Sequence, residues 1–156
     1  MKPIDPHFEA RVRDSFARQP YMALLGAELT RVKPGECELR IQRRTDLTQQ
    51  HGFMHGAVVG ALCDDAAAYA AYTLFPARSP VLAVEYKLNF VARARGDALR
   101  AVGLVLRTGR TLSVCRVDVF SIERDEERLC GTSLHTVMRL DNRSDRAPSG
   151  DTNPPA

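Results

Sequence analysis

Two consecutive carboxylates, Asp64 and Asp65, stand in the middle of an otherwise apolar stretch, Gln49 to Leu74, which opens QQHGFMHG and runs on as AVVGALCDDAAAYAAYTL. A helix apolar on every side belongs inside a protein. An ionised carboxylate buried there costs roughly several kcal/mol unless a partner or a task compensates. At 100° per residue Asp64 shares its face with Ala57, Gly60, Ala61, Ala67, Ala68 and Ala71, whereas Asp65 lies with Val58, Leu62, Tyr69 and Tyr72. Small neighbours leave room for a substrate, a water or another backbone to approach Asp64. Such a carboxylate can act as general base or as nucleophile. Bulky neighbours turn Asp65 toward a tyrosine hydroxyl or toward solvent.

His51-Gly52 and His55-Gly56 stand where this helix begins. The unpaired N–H groups of a helix start attract negative charge, aided by the dipole. An N–H near Gly56 or Ala57 could therefore polarise a carbonyl and hold an oxyanion. Asp64 lies more than roughly 10 Å along the same helix at ~1.5 Å per residue, too far for both groups to meet one carbonyl. A two-fold dimer, in which the helix start of one copy meets Asp64 of the other, repairs this and generates two sites. A metal held by His51 and His55 is a weaker reading, because Gly52 puts the pair in a loop without the i, i+4 geometry of a helical metal motif. Cys63 has no base beside it in sequence and no GxSxG elbow occurs. His7 and His135 read as ordinary structural residues.

The elements that must position this stretch follow from patterning. Asp5 and Pro6 form a helix start with Phe8, Val12, Ser15 and Phe16 on one face up to Pro20. A short apolar turn, Tyr21 to Leu25, stops at Gly26. Strands are predicted over Ala27 to Lys33 and Glu36 to Arg43, joined at Pro34-Gly35; in the second, Cys37, Leu39 and Ile41 alternate with polar residues. Beyond the helix, Val81 to Val91, Ala98 to Arg107, Thr111 to Ile122 and Arg128 to Leu140 read as four strands of an antiparallel meander. The row Leu82, Val84, Tyr86, Leu88 and Phe90 is expected to face the core rather than an acyl pocket. This order places the chain in the α+β class.

Length and composition narrow the field. The 156 residues make one domain, residues 1–140, with DNRSDRAPSGDTNPPA (141–156) as a disordered tail. No apolar run is long enough to span a membrane and the start lacks a signal core, so a cytoplasmic protein is expected. A net charge of +3 is too slight for nucleic-acid binding and suits an anionic small molecule better. The scattered Cys37, Cys63, Cys115 and Cys130 read as free buried thiols.

These residues resemble the hotdog-fold acyl-CoA thioesterases, in particular the PaaI-like, phenylacetate-pathway group. That group carries an N-x-x-G-x-x-H-G-G loop entering a helix with an aspartate nine residues after the histidine. Here the loop is Gln49-Gln50-His51-Gly52-Phe53-Met54-His55-Gly56-Ala57, with Asp64 nine residues after His55. The resemblance covers roughly residues 20 to 140 and implies an antiparallel sheet wrapped around one long central helix. It also implies thioester hydrolysis without a cofactor or metal, with Asp64 activating water or attacking the carbonyl, the Gly56 N–H of a second copy binding the oxyanion, and His55 orienting the site. Gln49 stands for the family's asparagine, Ala57 for its second glycine, and Ala83 where some relatives place a serine or threonine that holds the water. Acyl contacts are expected from Phe53, Met54 and Tyr69. Arg93, Arg95, Arg107 and Arg110 are the candidates for coenzyme A phosphates. The expected partners are acyl-CoA and a second copy of the chain, as a homodimer or a dimer of dimers. A noncatalytic acyl-CoA binding or regulatory module is the alternative that Gln49 and Ala83 keep open.

Overall fold

The computed structural model describes residues 1–146; the remainder of the expected tail, 147–156, lies outside the described residues. Two short helices lead in. The first, α1 (Phe8–Ala17), starts two residues later than the Asp5-Pro6 signal suggests, with His7 at the cap. Asp5 works one turn upstream: its Oδ1 accepts the His7 N–H (2.9 Å) and its Oδ2 accepts Arg11 Nε (2.8 Å). Pro20 opens α2 (Pro20–Leu25), which Gly26 ends in the left-handed conformation at φ 70°. Strands β1 (Ala27–Lys33) and β2 (Glu36–Gln42) form the expected hairpin.

The long helix α3 (Gly56–Tyr72) buries twelve of its 17 residues, as its all-round apolar sequence requires. It packs on one six-stranded antiparallel sheet completed by β3 (Val81–Phe90), β4 (Ala98–Thr108), β5 (Leu112–Glu123) and β6 (Glu126–Arg139). Helix and sheet meet closely at Gly103, where an added Cβ would lie 2.2 Å from the Ala66 carbonyl oxygen. This is the hotdog architecture. No described helix is long and apolar enough to cross a membrane.

Two expectations fail. The strand order is β1-β2-β4-β5-β6-β3, so the last four strands are not a simple meander: β3 pairs only with β6, at the sheet edge. Residues 91–97 carry the chain from β3 to β4 past β6 and β5. Seven residues reach about 23 Å when extended, ample for three strand spacings of about 4.8 Å. The Gly96-Asp97 turn signal is real, with Gly96 at φ 95°, but it enters β4 from a crossover. The second failure concerns the row expected in the core. Leu82, Val84, Tyr86 and Phe90 are 50, 54, 47 and 59% exposed, and only Leu88 is partly covered. Alternation reports which residues share a face; whether the chain itself covers that face depends on the strand's place in the sheet, and an edge place leaves it open.

The lead-in helices are fixed to the far end of α3. Arg11 stacks on the Tyr72 ring (4.1 Å) and its Nη2 donates to the Tyr72 and Phe75 carbonyls at 3.1 and 2.9 Å, satisfying groups that a helix end leaves unpaired. Val12 and Ser15 are buried beneath it. This clamp sets α1 and the α1–α2 junction beside the middle of α3, where the two aspartates lie. Residues 141–146 return to the same side: Ser79 Oγ donates to Asp141, and Arg18 donates to the Asp145 carbonyl (2.7 Å) and carboxylate (2.6 Å).

Candidate active site

The N-terminus of α3 is shaped by His55. Its backbone sits at the N-cap, and its Nδ1 accepts the Ala57 N–H at 3.0 Å. An accepting Nδ1 places the proton of the neutral ring on Nε2. The Val58 and Val59 N–H groups both donate to the His55 carbonyl, at 3.0 and 3.3 Å. That leaves the Gly56 N–H as the one first-turn donor with no acceptor among the described residues. The loop before it is a tight structure of its own: Gln49 N–H donates to Phe53 O, Gly52 N–H to Gln49 O, and Gly52 stands at φ 79°.

This helix start opens on a cavity of about 250 Å³ lined by Gln49, Phe53, Met54, Gly56, Phe90 and Arg93, among others. The Phe90 ring lies so close over Gly56 that a Cβ there would come within 3.1 Å of it. Arg93 and Arg95 reach over the Phe53 ring at 5.4 and 5.3 Å. They also line an adjoining cavity with Ala92 and Arg128. Arg107 and Arg110 are exposed near the β4–β5 turn and line neither cavity.

Asp64 and Asp65 open on a different cavity, of about 470 Å³, between α3, the α1–α2 junction and the start of β3. Ala83 is on its wall, as are Ser15, Arg18, Gln19 and Tyr69. Tyr69 is therefore not beside Phe53 and Met54, as expected; it is buried, and its hydroxyl shares a 3.2 Å hydrogen bond with Ser15 Oγ and accepts from Gln19 Nε2 at 2.7 Å. The helical rise over the twelve residues from Ala57 to Tyr69, about 18 Å at ~1.5 Å per residue, carries it to the other end of α3. Asp65 does not turn to solvent either. It is 8% exposed and accepts from Gln19 Nε2 at 3.3 Å, so Gln19 joins it to the tyrosine hydroxyl.

Burial separates the two carboxylates electrostatically. Loss of water pushes Asp65 up to about 7, outweighing the Gln19 hydrogen bond, and the neighbouring Asp64 charge pushes the same way. Asp64, only partly buried, is raised by desolvation alone. One oxygen of each, Asp64 Oδ1 and Asp65 Oδ2, is buried without a partner among the described residues. A carboxyl raised in this way and facing a cavity has the properties of a general base.

The structure thus gathers Gln49, Phe53, Met54, Gly56 and Arg93 at one end of α3, and Asp64, Tyr69 and Ala83 nearer its other end. His55 and Ala57 form the cap. Ser15, Arg18, Gln19, Phe90, Arg128 and Asp145 were not anticipated. Their sequence signals are weak, since each comes from a segment remote from the loop motif.

Comparison with known proteins decides the family. The thioesterase superfamily model matches residues 51–127, which hold the loop from His51, α3, β3, β4, β5 and the first two residues of β6. A thioesterase family protein from Silicibacter pomeroyi shares 41% identity over 86% of this chain and 98% of its own, with a TM-score of 0.85. The chain belongs to the thioesterase superfamily. Two more distant structures share the fold: a thioesterase from Haemophilus influenzae (19% identity, 83% of this chain and 89% of that one, TM-score 0.75) and the PaaI protein of the E. coli phenylacetic acid degradation operon (16% identity, 85% and 93%, TM-score 0.76). No curated protein sequence matches. Within this superfamily frame, α3 is the central helix and the 49–57 loop its entrance.

Proposed function

We propose that this thioesterase-superfamily chain hydrolyses acyl-CoA thioesters at a site completed by two copies of itself. The observation that carries the reading is that one helix holds an uncommitted donor, the Gly56 N–H, and a desolvated carboxylate, Asp64, in two separate cavities of the same chain. Eight residues at ~1.5 Å put them about 12 Å apart, so a single carbonyl meets both only when the second comes from another copy. The edge strand β3, open and apolar, is the natural seam for that pairing.

In this arrangement the thioester oxygen points at the Gly56 N–H, which gains strength as negative charge develops on it. Asp64 of the other copy takes a proton from water, whose oxygen bonds to the carbonyl carbon. The C–S bond then breaks, the proton passes to the departing sulfur, and the products are a carboxylic acid and the free thiol. Alternatively Asp64 attacks the carbon itself and water hydrolyses the resulting anhydride. The Gln49 amide, in the Gly56 cavity, orients carbonyl or water; His55 holds the helix start through its bond to Ala57; Phe53 and Met54 contact the substrate. Arg93 and Arg95 meet the coenzyme A phosphates, with Arg128 beside them. Ala83 supplies no hydroxyl to the water, which leaves that task to Asp64.

The test is thiol release across aliphatic and aryl acyl-CoAs. Asp64→Asn is expected to remove turnover by at least about a thousandfold, while Asp65→Asn keeps much more. Tight binding without thiol release would instead make the protein an acyl-CoA binding module, and equal loss from both substitutions would overturn the assignment of Asp64. Single turnover in ¹⁸O-water detects the anhydride route: the Asp64 carboxylate gains label only if Asp64 attacks and water then opens the anhydride at the Asp64 carbonyl.

A further inference from the structure

Arg18 and Asp145 stand on the wall between the Asp64 cavity and a second cavity of about 350 Å³. Its lining includes Arg18, Arg78, Arg143 and Arg146 against Asp14 and Asp145, an excess of two positive charges. Arg11 lines it too but is committed to Asp5 and to the α3 carbonyls. Arg78 and Arg143 have no carboxylate partner among the described residues, and Arg146 reaches Asp14 only at 3.9 Å. Arg18 is engaged on both sides: its Nε donates to Asp14 Oδ2 at 3.2 Å, and its other two guanidinium nitrogens grip the carbonyl and the carboxylate of Asp145 at 2.7 and 2.6 Å. A carboxylate on the chain already occupies the position that a carboxylate on a ligand would take. Two-pronged recognition of this kind is what a guanidinium does best.

We propose that the acyl group hydrolysed here carries an anionic far end, a carboxylate, received by Arg18 and the unpaired arginines Arg78 and Arg143. The inference rests on the acyl-CoA reading above. With coenzyme A at the Arg93 and Arg95 end and the thioester between Gly56 and Asp64, the acyl chain continues into the Asp64 cavity, and that cavity leads to Arg18. Its walls are half polar, with Ser15, Gln19 and Tyr69 opposite Val81 and Leu82, which suits a short diacid half-thioester better than a long aliphatic tail. Asp145 is then the internal occupant that the substrate displaces.

The experiment compares matched pairs on the full chain: succinyl- with butyryl-CoA, glutaryl- with pentanoyl-CoA, and adipyl- with hexanoyl-CoA, each corrected for spontaneous breakdown. At least one pair is expected to favour the diacid by tenfold or more in kcat/KM. Arg18→Gln and, separately, Arg143→Gln are each expected to lower that ratio by about tenfold, the order of one charge-assisted contact, and Asp145→Asn to raise it. Arg143 is exposed and its side chain has no partner among the described residues, so its substitution reads recognition rather than folding. Preference for the uncharged member in every pair, or a ratio unmoved by both arginine substitutions, would overturn the inference while leaving thioester hydrolysis in place. Loss of turnover on all six thioesters would instead remove the reading underneath it.

Discussion

Asp64 and Asp65 are covalent neighbours that helical rotation sends into different surroundings, and the difference is measurable as pH dependence. Folding raises Asp65 from the usual 3.8 to about 7, so between these values the folded chain binds more protons than the unfolded one. Stability contributed by the neutral carboxyl is full below about pH 4 and is lost as pH rises through about 7. Asp64 is raised in the same sense. The thermal stability of the native chain should therefore fall as pH rises over that window, and Asp65→Asn should flatten the slope without abolishing it; an unchanged slope would contradict the burial assigned to Asp65. The division between the two residues was readable from helical periodicity, because it depends only on which side chains share a face. The Gln19 link was not, since it joins residues 46 positions apart and depends on how α1 docks.

Among the elements, α3 and the sheet are bound together by close approach of backbone, and Gly103 is where that approach is tightest. Gly103→Ala would force a methyl group against the Ala66 carbonyl, an overpacking expected to cost about 1–3 kcal/mol. Denaturant melts check this, and a neutral substitution would mean that the helix can shift off the sheet. The strands at the two edges differ in kind. On β1, Arg31 is tied to Glu36 and Glu38 and the strand carries Glu28 and Lys33 besides, charges of the sort that discourage pairing. The exposed row of β3 is aliphatic and aromatic. Every strand was legible from alternation and turn residues, because those are local signals. The order was not: whether β3 neighbours β4 or β6 depends on how residues 91–97 cross the sheet, and periodicity carries no information about that.

At the scale of the whole molecule, what a single chain leaves unfinished is the central point. It has a helix start without a carboxylate, a carboxylate without a helix start, and an apolar edge strand, β3, paired on one side only among the described residues. In our account a second copy supplies all three. Val84→Lys, which puts a charge on the β3 edge, is expected to shift the protein toward monomer in sedimentation and to lower activity in parallel; an active monomer would contradict a shared site. In the sequence a second copy is suggested only by helix length, and the β3 row reads as core there because an apolar pattern does not tell burial within the chain from exposure on an edge strand.

The most direct measurement mixes two inactive variants. Asp64→Asn removes the carboxylate, and Gly56→Pro removes the N–H at the first helical position, where the backbone accepts proline once the Phe90 ring, 3.1 Å from a Cβ there, swings aside. If each site takes Gly56 from one copy and Asp64 from the other, an unfolded-and-refolded equimolar mixture contains heterodimers with one intact site. Statistical pairing then restores about a quarter of the native activity per chain. A mixture that forms heterodimers yet stays as inactive as its components would show that both groups act within one chain, and would contradict the account.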